Sequence, residues 1–599
     1  MKYQNLAEMF FSKRNEFPDK VAYMFKKDGE WQQKTFKEAT DCAEKIAAGL
    51  ASIGVEKGDR VAIVSGNRMQ WSLSDYASTA LGAMLVPIYP SLLPEQVQYI
   101  LDNSEATVVI VEDQLQLDKI NQVRDKLETV KEVFVIDELE SGPDDSWRSF
   151  KQLKDMGEVF LKDKPDYVNE EIKKVEPDSW ATLIYTSGTT GEPKGAILTH
   201  RNFISNVEGA SSVIDVFSED IFLSFLPLSH VFERMAGHFL SCYHGCSVAF
   251  AESIDTVAAN MAEIKPTLMV SVPRLYEKIY GRVLESVEAG SPVKRKIFYW
   301  ALGVGKEYVN KVMNKQSIGA ALQFKRNLAY KLVFGKLYER VGGKIRFFVS
   351  GGAPLNADIA EFFGAAGMKI LEGYGLTETS PVIAVNQVDH FKFGTVGPIL
   401  PNVEVKIAED GEILSRGEHI MVGYYKKEAE TKESIDADGW FYTGDIGHID
   451  SDGMLKITDR KKNLIVTSGG KNIAPQPIEN NFVSSPYIEQ ALIIGDQRKF
   501  CSAVIVPSEE GCQTWAGGKG LSYSNYDELI GLTEVKDLVQ SEIERMSGNL
   551  AKYETIKKFI FATKQFTIES GELTPSLKVK RKEVERNYKA EIDMMYETE

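Results

Sequence analysis

Residues 181–199 read ATLIYTSGTTGEPKGAILT, and the fold prediction for the whole chain starts from this stretch. It begins with an apolar run, Leu183-Ile184-Tyr185, which predicts the end of a buried strand. Glycine and hydroxyl residues with a single lysine dominate the segment that follows, and a second apolar run begins at Ala196. Small residues let backbone N–H groups approach an anion closely, while hydroxyls and a lysine add donors and a positive charge. The segment therefore predicts a polyphosphate-binding loop made by Thr186, Ser187, Gly188, Thr189, Thr190 and Lys194.

Two other interpretations fit the sequence of this loop less well. The Walker A pattern requires a lysine that follows a glycine and opens a helix, whereas Lys194 precedes Gly195 and a strand is predicted next. An ordinary Gly/Thr-rich hairpin turn is the other alternative, and the accompanying Lys194 and Pro193 argue against it.

Bulk properties indicate a large protein of ordinary globular composition. The 599 residues are too many for one core, so we expect two or more domains. The formal net charge of −16, with no basic stripe expected to dominate any segment, argues against a nucleic-acid partner. The five cysteines form no disulfide framework, and Cys242 and Cys246 lack a second ligand pair for zinc. No signal peptide or bilayer-spanning apolar run is found, which predicts a cytoplasmic protein.

Helical and strand signals alternate ahead of the loop, which predicts an α/β fold. Thr35 and Glu38 form a capping box before a helical pattern that Gly54 ends. Strands are expected after Arg60 and at residues 84–88, 107–111 and 133–136, and such alternation implies parallel sheet with helices on both faces. Residues 138–174 are interpreted as loop with a connecting helix.

Several segments after the loop carry chemistry-bearing residues at predicted strand ends. Residues 221–228 are expected to form a strand that leads to His230, which could be a structural hydrogen-bonding residue. A strand at 345–349 leads to Gly352, Ala353 and Pro354, and another leads to Glu372, Gly373 and Tyr374. In open α/β sheets ligands collect at strand C-termini. Glycines admit a flat base, the Tyr374 ring can stack on it, Thr377 can reach a phosphate, and Glu378 can ligate Mg²⁺.

Two further regions have both a plain and a functional interpretation. Residues 282–340 interleave apolar residues with lysine and arginine, so they are either a helical insertion packed on the large domain or an amphipathic surface that touches membrane. Asp445 is either a turn-capping carboxylate or a ligand-binding one, and the charged run 459–462 suits an exposed joint between domains.

Taken together and in this order, these segments resemble those of the adenylate-forming superfamily of acyl-CoA synthetases, luciferase and adenylation domains. LPLSHVFER, DGMLKITDRKK and GELTPSLKVKR resemble its long-chain fatty acid–CoA ligase branch, and the likeness extends from about residue 5 to residue 590. The resemblance implies a large N-terminal domain of helix-covered sheets (1–459, with an insertion at about 282–340), a hinge (460–462) and a smaller α+β domain (463–599).

The resemblance also implies a role for each matching residue. Gly352 to Pro354 and Glu372 to Tyr374 would bind adenine, Glu378 would hold Mg²⁺ with Thr377 beside it, and Asp445 with Arg460 would bind ribose. His230 would border the acyl carboxylate, and Lys578 would be the adenylation lysine, although its basic neighbours also fit a solvated patch. Lys461 and Lys462 would form the hinge, and the loop with Gly469, Gly470 and Lys471 would help to form the thiol tunnel.

The implied activity is ATP- and Mg²⁺-dependent ligation of a long-chain fatty acid to coenzyme A through an acyl-adenylate. The alternatives are a medium-chain or aryl acid–CoA ligase, an acyl-AMP ligase, a luciferase-like oxidase of acyl-adenylates, and a catalytically silent nucleotide-binding module. Fatty acid, ATP and CoA are the expected partners, with peripheral contact at the inner membrane face. The oligomeric state is left open, with a homodimer as one option.

Overall fold

A computed structural model describes residues 1–186, 192–567, 570–574 and 579–597 of the chain. The strands, in chain order, are β1 (Val21–Lys27), β2 (Glu30–Thr35), β3 (Arg60–Val64), β4 (Met84–Ile88), β5 (Val108–Val111), β6 (Glu132–Val135), β7 (Arg148–Ser149), β8 (Trp180–Thr186), β9 (Lys194–Thr199), β10 (Ile221–Ser224), β11 (Ser247–Phe250), β12 (Leu268–Ser271), β13 (Phe347–Ser350), β14 (Lys369–Gly375), β15 (Val382–Val385), β16 (Glu404–Ile407), β17 (Glu412–Arg416), β18 (Gly423–Tyr424), β19 (Phe441–Ile449), β20 (Leu455–Arg460), β21 (Ile465–Val466), β22 (Asn472–Ile473), β23 (Ile488–Ile494), β24 (Cys501–Pro507) and β25 (Ile556–Phe561).

The helices, in the same order, are α1 (Leu6–Phe11), α2 (Lys13–Glu16), α3 (Phe36–Ser52), α4 (Met69–Ala80), α5 (Pro94–Ser104), α6 (Gln114–Val123), α7 (Phe150–Asp163), α8 (Tyr167–Lys174), α9 (His200–Ser211), α10 (Leu240–His244), α11 (Val257–Ile264), α12 (Pro273–Glu288), α13 (Pro292–Met313), α14 (Ala320–Ala329), α15 (Gly335–Arg340), α16 (Ala357–Ala366), α17 (Glu428–Ser434), α18 (Pro475–Val483), α19 (Glu509–Lys519), α20 (Tyr526–Gly531), α21 (Thr533–Met546), α22 (Arg581–Asn587) and α23 (Lys589–Glu597). Segments Glu233–Phe239 and Tyr330–Phe334 are π-helical, and short 3-10 turns include Thr377–Thr379 and Lys461–Asn463.

Two large sheets form the body of the N-terminal part. Among the described residues, one sheet has the order β15-β14-β13-β12-β10-β11-β1-β2 and the other the order β18-β9-β8-β4-β3-β5-β6-β7. In the first sheet, the neighbouring strands β11, β10, β12, β13 and β14 are parallel. In the second sheet, the neighbouring strands β8, β4, β3, β5, β6 and β7 are parallel. The prediction of parallel sheet is therefore confirmed.

Both faces of these sheets are buried, as the alternation of helices and strands predicts. In β3, Val61 and Ile63 belong to one apolar core, whereas Ala62 and Val64 belong to another on the opposite face. Successive side chains of a strand point to opposite faces, so one strand contributes to two cores. Each fully buried Val or Ile contributes about 1.5–3 kcal/mol, which makes this sheet a rigid support for the loops at its edge.

The third sheet joins the two large ones to the C-terminal part. It has the order β16-β17-β19-β20 among the described residues, and its last strand ends at Arg460. Beyond the turn Lys461–Asn463, the strands β23, β24 and β25 form a sheet that again buries both faces. Ile493 and Ile505 lie on one side of it, and Leu492 and Val504 on the other.

Helix α3 begins where the sequence predicts. Thr35 accepts a hydrogen bond from the Glu38 N–H while Glu38 accepts one from the Thr35 N–H, so the capping box is confirmed. The helix ends at Ser52, just before Gly54, which has a φ of +89°.

Residues 138–174, interpreted as loop with a connecting helix, contain two helices and less loop than expected. Helices α7 and α8 occupy most of this stretch, and α7 packs against α3 at two glycines. A Cβ at Gly157 would lie 1.8 Å from the carbonyl oxygen of Lys45, and one at Gly49 would lie 2.2 Å from that of Leu153. The polar composition of α7 hid this contact, because the close approach depends on two glycines more than a hundred residues apart.

The strand predicted at residues 221–228 is shorter than expected. It ends at Ser224, and the Asn67 side chain then hydrogen-bonds the chain at Leu226 and Leu228 in place of a neighbouring strand. No helix among the described residues is long and apolar enough to cross a membrane.

Candidate active site

The predicted phosphate loop connects two strands of a hairpin. Strands β8 and β9 are antiparallel, and Thr186 pairs with Lys194 as the last residues in register before the loop. The Thr186 hydroxyl donates to the Lys194 carbonyl at 3.4 Å. Ser187, Gly188, Thr189 and Thr190 lie outside the described residues, so their predicted role stays a prediction. Lys194 is therefore held at the first position of a strand that is hydrogen-bonded on both sides, to β8 and to β18.

Tyr424 connects Lys194 to Glu378. The ammonium group of Lys194 lies 5.1 Å from the centre of the Tyr424 ring, and the Tyr424 hydroxyl donates to Glu378 Oε1 at 2.8 Å. Strand β18 holds Tyr424 against β9, with Tyr424 opposite Ala196. Burial and the adjacent Glu378 carboxylate raise the pKa of Tyr424, so its hydroxyl keeps the proton that it donates.

Asp445 connects Tyr374 to Arg460. The Tyr374 hydroxyl donates to Asp445 Oδ2 at 2.7 Å, and Arg460 Nε lies 3.0 Å from Asp445 Oδ1. The contact with Arg460 follows from the strand register, since Asp445 in β19 faces Arg460 in β20. Burial and the Asp445 carboxylate raise the pKa of Tyr374 well above its ordinary value. Asp445 is therefore fixed by two donors and buried in a strand, and it is not a residue of an exposed turn.

These two groups meet at the end of one strand. Tyr374 is in β14, and Glu378 follows it in the 3-10 turn Thr377–Thr379. Burial lowers the pKa of Arg460, but the negative charges of Asp445 and Glu378 outweigh this effect and raise that pKa. Glu378 therefore lies within electrostatic reach of Arg460.

The loop that carries Gly352, Ala353 and Pro354 is exposed, and its base is held by Glu372. The buried Glu372 carboxyl accepts hydrogen bonds from the backbone of Leu355 and Gly394, and burial raises its pKa to about 8. Gly352 has a φ of +79°, which favours glycine at that turn. The Glu372 side chain thus contacts protein backbone, whereas Gly352 to Pro354 face outward.

His230 lies next to this loop through its neighbour Phe232. His230 Nδ1 accepts from the Phe232 N–H at 3.2 Å, and a Cβ at Gly351 would lie 2.8 Å from the Phe232 ring. The segment with His230 therefore contacts the segment with Gly352, although about 120 residues separate them in sequence.

The residues that follow His230 are anchored in the core. Arg234 is fully buried, and it pairs with Asp75 and donates to Thr182 Oγ1 at 2.7 Å. Thr182 belongs to β8, which leads to the phosphate loop. Burial raises the pKa of Glu233 to about 8, and no described residue bonds its Oε2. This stretch ties the His230 segment to β8.

Lys461 and Lys462 differ sharply in their contacts. Lys461 Nζ lies 2.6 Å from Asp410 and 2.8 Å from Glu412, both of which belong to the N-terminal part. The side chain of Lys462 is exposed and forms no ion pair with a described residue. Burial raises the pKa of Asp459 to about 6, and its Oδ2 accepts from the Gln476 N–H of the C-terminal part at 3.4 Å.

The loop Gly469–Lys471 lies at the tip of the β21–β22 hairpin. Gly470 has a φ of +72°, and nothing lies within 4 Å of a Cβ built on it. Lys471 lies 5.7 Å from the ring of Tyr553 in the same C-terminal part. Lys578 lies outside the described residues, where its predicted role stays a prediction.

Few described contacts cross from the C-terminal part to the rest. They include an ion pair between Arg274 and Glu489 and a 3.5 Å hydrogen bond from Asn480 to the Pro354 carbonyl. The second contact reaches the exposed loop that carries Gly352, so the C-terminal part borders the candidate site.

The fold thus brings together Lys194, Glu378, Tyr374, Asp445 and Arg460. Sequence reasoning missed Tyr424, which joins two of them, and Glu412, which fixes Lys461 and accepts from the Gly444 N–H at 2.9 Å. The segment that holds Gly423 and Tyr424 carried no functional prediction. The only sequence signal was the glycine before Tyr424, and the structure gives Gly423 a φ of +153°.

Comparisons with known proteins cover the whole chain. The profile of the AMP-binding enzyme family matches residues 10–425, and that of the AMP-binding enzyme C-terminal domain matches residues 462–599. The long-chain-fatty-acid–CoA ligase FadD15 of Mycobacterium bovis is 35% identical over 100% of this chain and 98% of its own length. The peroxisomal long chain acyl-CoA synthetase 6 of Arabidopsis thaliana is 33% identical over 95% of this chain and 82% of its own length.

Solved structures share the fold at lower identity. The adenylation domain of a carboxylate reductase from Mycobacterium chelonae matches with a TM-score of 0.75 and 22% identity, over 99% of this chain and 91% of that one. The anthranilate CoA ligase AuaEII in complex with anthranoyl-AMP matches with a TM-score of 0.73 and 19% identity, over 99% of this chain and 98% of that one. The α/β architecture with a smaller C-terminal part is therefore shared with these proteins.

Proposed function

Because the chain belongs to the AMP-binding enzyme family, we propose that it is a long-chain fatty acid–CoA ligase that forms AMP. The reaction converts ATP, a fatty acid and CoA into acyl-CoA, AMP and diphosphate through an acyl-adenylate. Full-length similarity to ligases named for long-chain fatty acids supports this substrate class. The observation that carries the proposal is the meeting of the Lys194–Tyr424–Glu378 group and the Tyr374–Asp445–Arg460 group at the end of β14.

The reaction explains why such groups are needed. A carboxylate resists attack by a thiol because its leaving group would be an oxide, whereas an acyl-adenylate has a phosphate leaving group. The site must therefore bring an anionic carboxylate up to the anionic α-phosphate of ATP. This requires positive charges that are already in position, which is electrostatic catalysis combined with in-line positioning.

The nucleotide would lie along the end of β14. Asp445 would accept hydrogen bonds from both ribose hydroxyls, because it is ionisable, fixed and held by Tyr374. Arg460 would reach the ribose from the facing strand. Gly352, Ala353, Pro354 and Gly373 would form the adenine surface, and Glu372 would support it through its backbone contacts.

The phosphates would lie between the hairpin and the turn at Thr377. Lys194 and the loop Thr186–Thr190 would bind the β- and γ-phosphates, and Thr377 would reach the α-phosphate. Lys578 would bring the remaining charge to the transition state. His230 would border the acyl carboxylate, since its segment contacts the Gly351–Gly352 loop through Phe232.

A magnesium ion would be held by Glu378. Mg²⁺ in nucleotide sites is usually bound by one or two carboxylates together with substrate phosphates and water, so a single fixed carboxylate fits this ion. Tyr424 occupies only one oxygen of Glu378 in the hydrogen bonds of the described residues. The ion would neutralise the phosphate charge of ATP.

The chain would divide into a large domain at 1–459, a hinge at 460–462 and a small domain at 463–599. Lys461 is anchored to Asp410 and Glu412, so the rotation would be absorbed at Lys462. After adenylation the small domain would bring Gly469, Gly470 and Lys471 toward the site for entry of the CoA thiol. We propose a cytoplasmic enzyme that contacts the inner membrane face.

The proposal is tested by separating the two half-reactions. Lys578→Ala should nearly abolish diphosphate release from ATP and palmitate but leave acyl-CoA formation from supplied acyl-AMP largely intact. Removal of such a charge costs about 3 kcal/mol or more in the barrier. An equal loss of rate in the two half-reactions would contradict the role assigned to Lys578.

Substrate class is tested with palmitate, octanoate and coumarate, each with and without CoA. Palmitate should give the highest kcat/KM, and AMP release should require CoA for turnover. Preference for octanoate would favour a medium-chain ligase, and preference for coumarate would favour an aryl acid ligase. Release of acyl-AMP as the product would favour an acyl-AMP ligase. Oxygen uptake would favour a luciferase-like oxidase. Absence of every product would leave a silent nucleotide-binding module.

A further inference from the structure

Residues 291–346 carry a charge opposite to that of the rest of the protein. The segment contains 13 lysine and arginine residues and only two acidic residues, Glu307 and Glu339, in a chain of net charge −16. The expectation that no segment is dominated by basic residues was therefore wrong. This segment consists mainly of α13, α14 and α15 with the π-helical turn between the last two.

Most of these cations have no carboxylate partner. Arg295, Lys306 and Arg346 pair with Glu288, Glu361 and Asp220. The others form no salt bridge with any described residue: Lys294, Lys296, Lys311, Lys315, Lys325, Arg326, Lys331, Lys336, Arg340 and Lys344. Such a concentration of unpaired charge attracts anionic partners and repels cationic ones.

Large apolar side chains are exposed among these cations. Of the 22 large hydrophobic residues that are strongly exposed in the described residues, eight lie in this segment, which is less than a tenth of the chain. Phe324 is 70% exposed and Val293 is 67% exposed. Scattered exposed apolar residues need no explanation, but a concentration of them marks a contact surface.

The helical spacing puts apolar and basic residues on common faces. Val293, Lys296 and Trp300 are three and four residues apart on α13, and Phe324, Leu328 and Lys331 are four and three apart along α14 and the turn after it. The two helices pack against each other, with the Arg326 guanidinium 5.5 Å from the Tyr308 ring of α13. We call Val293, Ile297, Trp300, Phe324, Leu328, Leu332 and the ten unpaired cations the α13–α14 surface.

A pocket lies between α13 and α14 beside this surface, and Arg326 belongs to both. It has a volume of about 380 Å³ and is lined by Tyr308, Gln323, Arg326, Asn327 and Tyr330. Arg326 also lies 5.7 Å and 5.3 Å from the rings of Tyr330 and Phe334, so its guanidinium is fixed between aromatic rings. A fixed guanidinium beside amide groups suits a phosphate group.

We propose that the α13–α14 surface docks the protein on a bilayer of anionic phospholipid. Lysine and arginine would contact the phosphate headgroups, Arg326 would take one phosphate in its pocket, and Trp300, Phe324 and Leu328 would enter the interface. Aromatic and aliphatic residues beside basic ones are typical of surfaces that lie in the membrane interface. This inference rests on the proposed function in one respect: it names the lipid surface for the membrane contact that is part of that proposal.

Two other partners explain the surface less well. A symmetric contact with a second copy would bring two sets of unpaired cations together, which costs free energy through like-charge repulsion. A nucleic acid would neutralise the cations but leave Val293, Ile297, Leu328 and Leu332 exposed, because aliphatic side chains do not stack on bases. An anionic bilayer accounts for both features.

The test is co-sedimentation of the full chain with vesicles. Wild type should bind vesicles made of equal parts of phosphatidylcholine and phosphatidylglycerol. It should bind pure phosphatidylcholine vesicles at least about tenfold more weakly. High salt should abolish binding to the mixed vesicles. Lys325→Gln with Lys331→Gln should weaken binding about tenfold or more, since each lysine near an anionic surface contributes about fivefold. Phe324→Ser with Leu328→Ser should weaken it at least about tenfold.

Matched controls lie on other helices. Leu115 on α6 is 61% exposed, and Lys162 and Lys173 are exposed on α7 and α8, so Leu115→Ser and Lys162→Gln with Lys173→Gln should bind as wild type. Circular dichroism should be the same for all variants. Equal binding by surface and control variants overturns the proposal, as does wild type that binds neither vesicle.

Two further measurements separate this inference from its rivals. If the surface variants lose self-association but bind vesicles as wild type does, the membrane proposal is overturned in favour of a second copy. If wild type binds an oligonucleotide but not mixed vesicles, it is overturned in favour of a nucleic acid. Surface variants should keep wild-type acyl-CoA formation from dissolved fatty acid without vesicles. Absence of that activity in wild type that still binds vesicles would count against the proposed function and not against this surface.

Discussion

The contact between Tyr424 and Glu378 gives the sharpest test of the candidate site. Tyr424→Phe removes the hydroxyl that donates to Glu378 Oε1 at 2.8 Å and keeps the ring that lies 5.1 Å from the Lys194 ammonium group. The substitution therefore releases the proposed magnesium ligand without moving the proposed phosphate lysine.

The magnitude follows from the type of bond. A hydrogen bond to a charged group contributes about 1.5–3 kcal/mol. If the whole of this is needed to orient Glu378 in the transition state, kcat/KM for adenylation should fall by roughly 10- to 150-fold. Tyr424→Leu also removes the ring, which adds about 0.5–2 kcal/mol for the cation–π contact and so roughly a further 2- to 30-fold.

Diphosphate release from ATP and palmitate is the assay, with Mg²⁺ titrated at saturating ATP. Tyr424→Phe should raise the Mg²⁺ concentration needed for half-maximal rate, which a purely structural role would not do. Tyr425→Phe is the matched control, because the neighbouring Tyr425 hydroxyl donates to Glu105 Oε2 at 2.9 Å, away from the candidate site. Both variants should lose similar stability in urea. Equal kinetics and equal Mg²⁺ dependence for the two variants would refute the reasoning.

Three other predictions follow from the contacts described above. Lys462→Pro should slow thioester formation more than adenylation because it stiffens the proposed hinge, and a stopped-flow comparison of the two half-reactions in which both rates stay equal would remove the hinge assignment. The pKa of Glu233 is raised from its ordinary 4.5 to about 8, so the folded state binds the extra proton and wild type loses stability relative to Glu233→Gln as pH rises from about 4.5 to about 8. Urea midpoints across that range should diverge by an amount equivalent to about 3 kcal/mol or more, and parallel curves would contradict the buried, protonated carboxyl. Arg234→Met should cost about 3–5 kcal/mol because it leaves the fully buried Asp75 carboxylate without its cation, and adding Asp75→Leu should restore part of that loss in a double-mutant cycle.

The sequence predicts best what depends on local pattern. Strands β3 and β4, the capping box of α3 and the two strands that flank the phosphate loop follow from apolar runs and from Thr35 and Glu38. Family resemblance and full-length similarity agree on the ligase class, because several ordered segments match and not one loop alone.

Contacts between distant segments could not be predicted. Tyr424 meets Glu378 and Lys194 only because β18 pairs with β9, more than two hundred residues earlier in the chain. The close packing of α7 on α3 could not be predicted, because it depends on Gly49 and Gly157 lying opposite each other beside the buried Phe150 and Leu153. Glu418 pairs with Arg201 on α9 at 3.3 Å, a contact between distant segments that no local pattern encodes.

The pairing of Thr186 with Lys194 separates the length of the phosphate loop from the position of its lysine. Lys194 is the first residue of β9, so its direction is set by the strand register and not by the residues that precede it. Residues could be added or removed between the two strands while the ammonium group keeps its place beside Tyr424. Deleting one residue within β9 would instead turn Lys194 to the opposite side of the sheet. The strand register therefore fixes the position of Lys194 whatever the length of the loop before it.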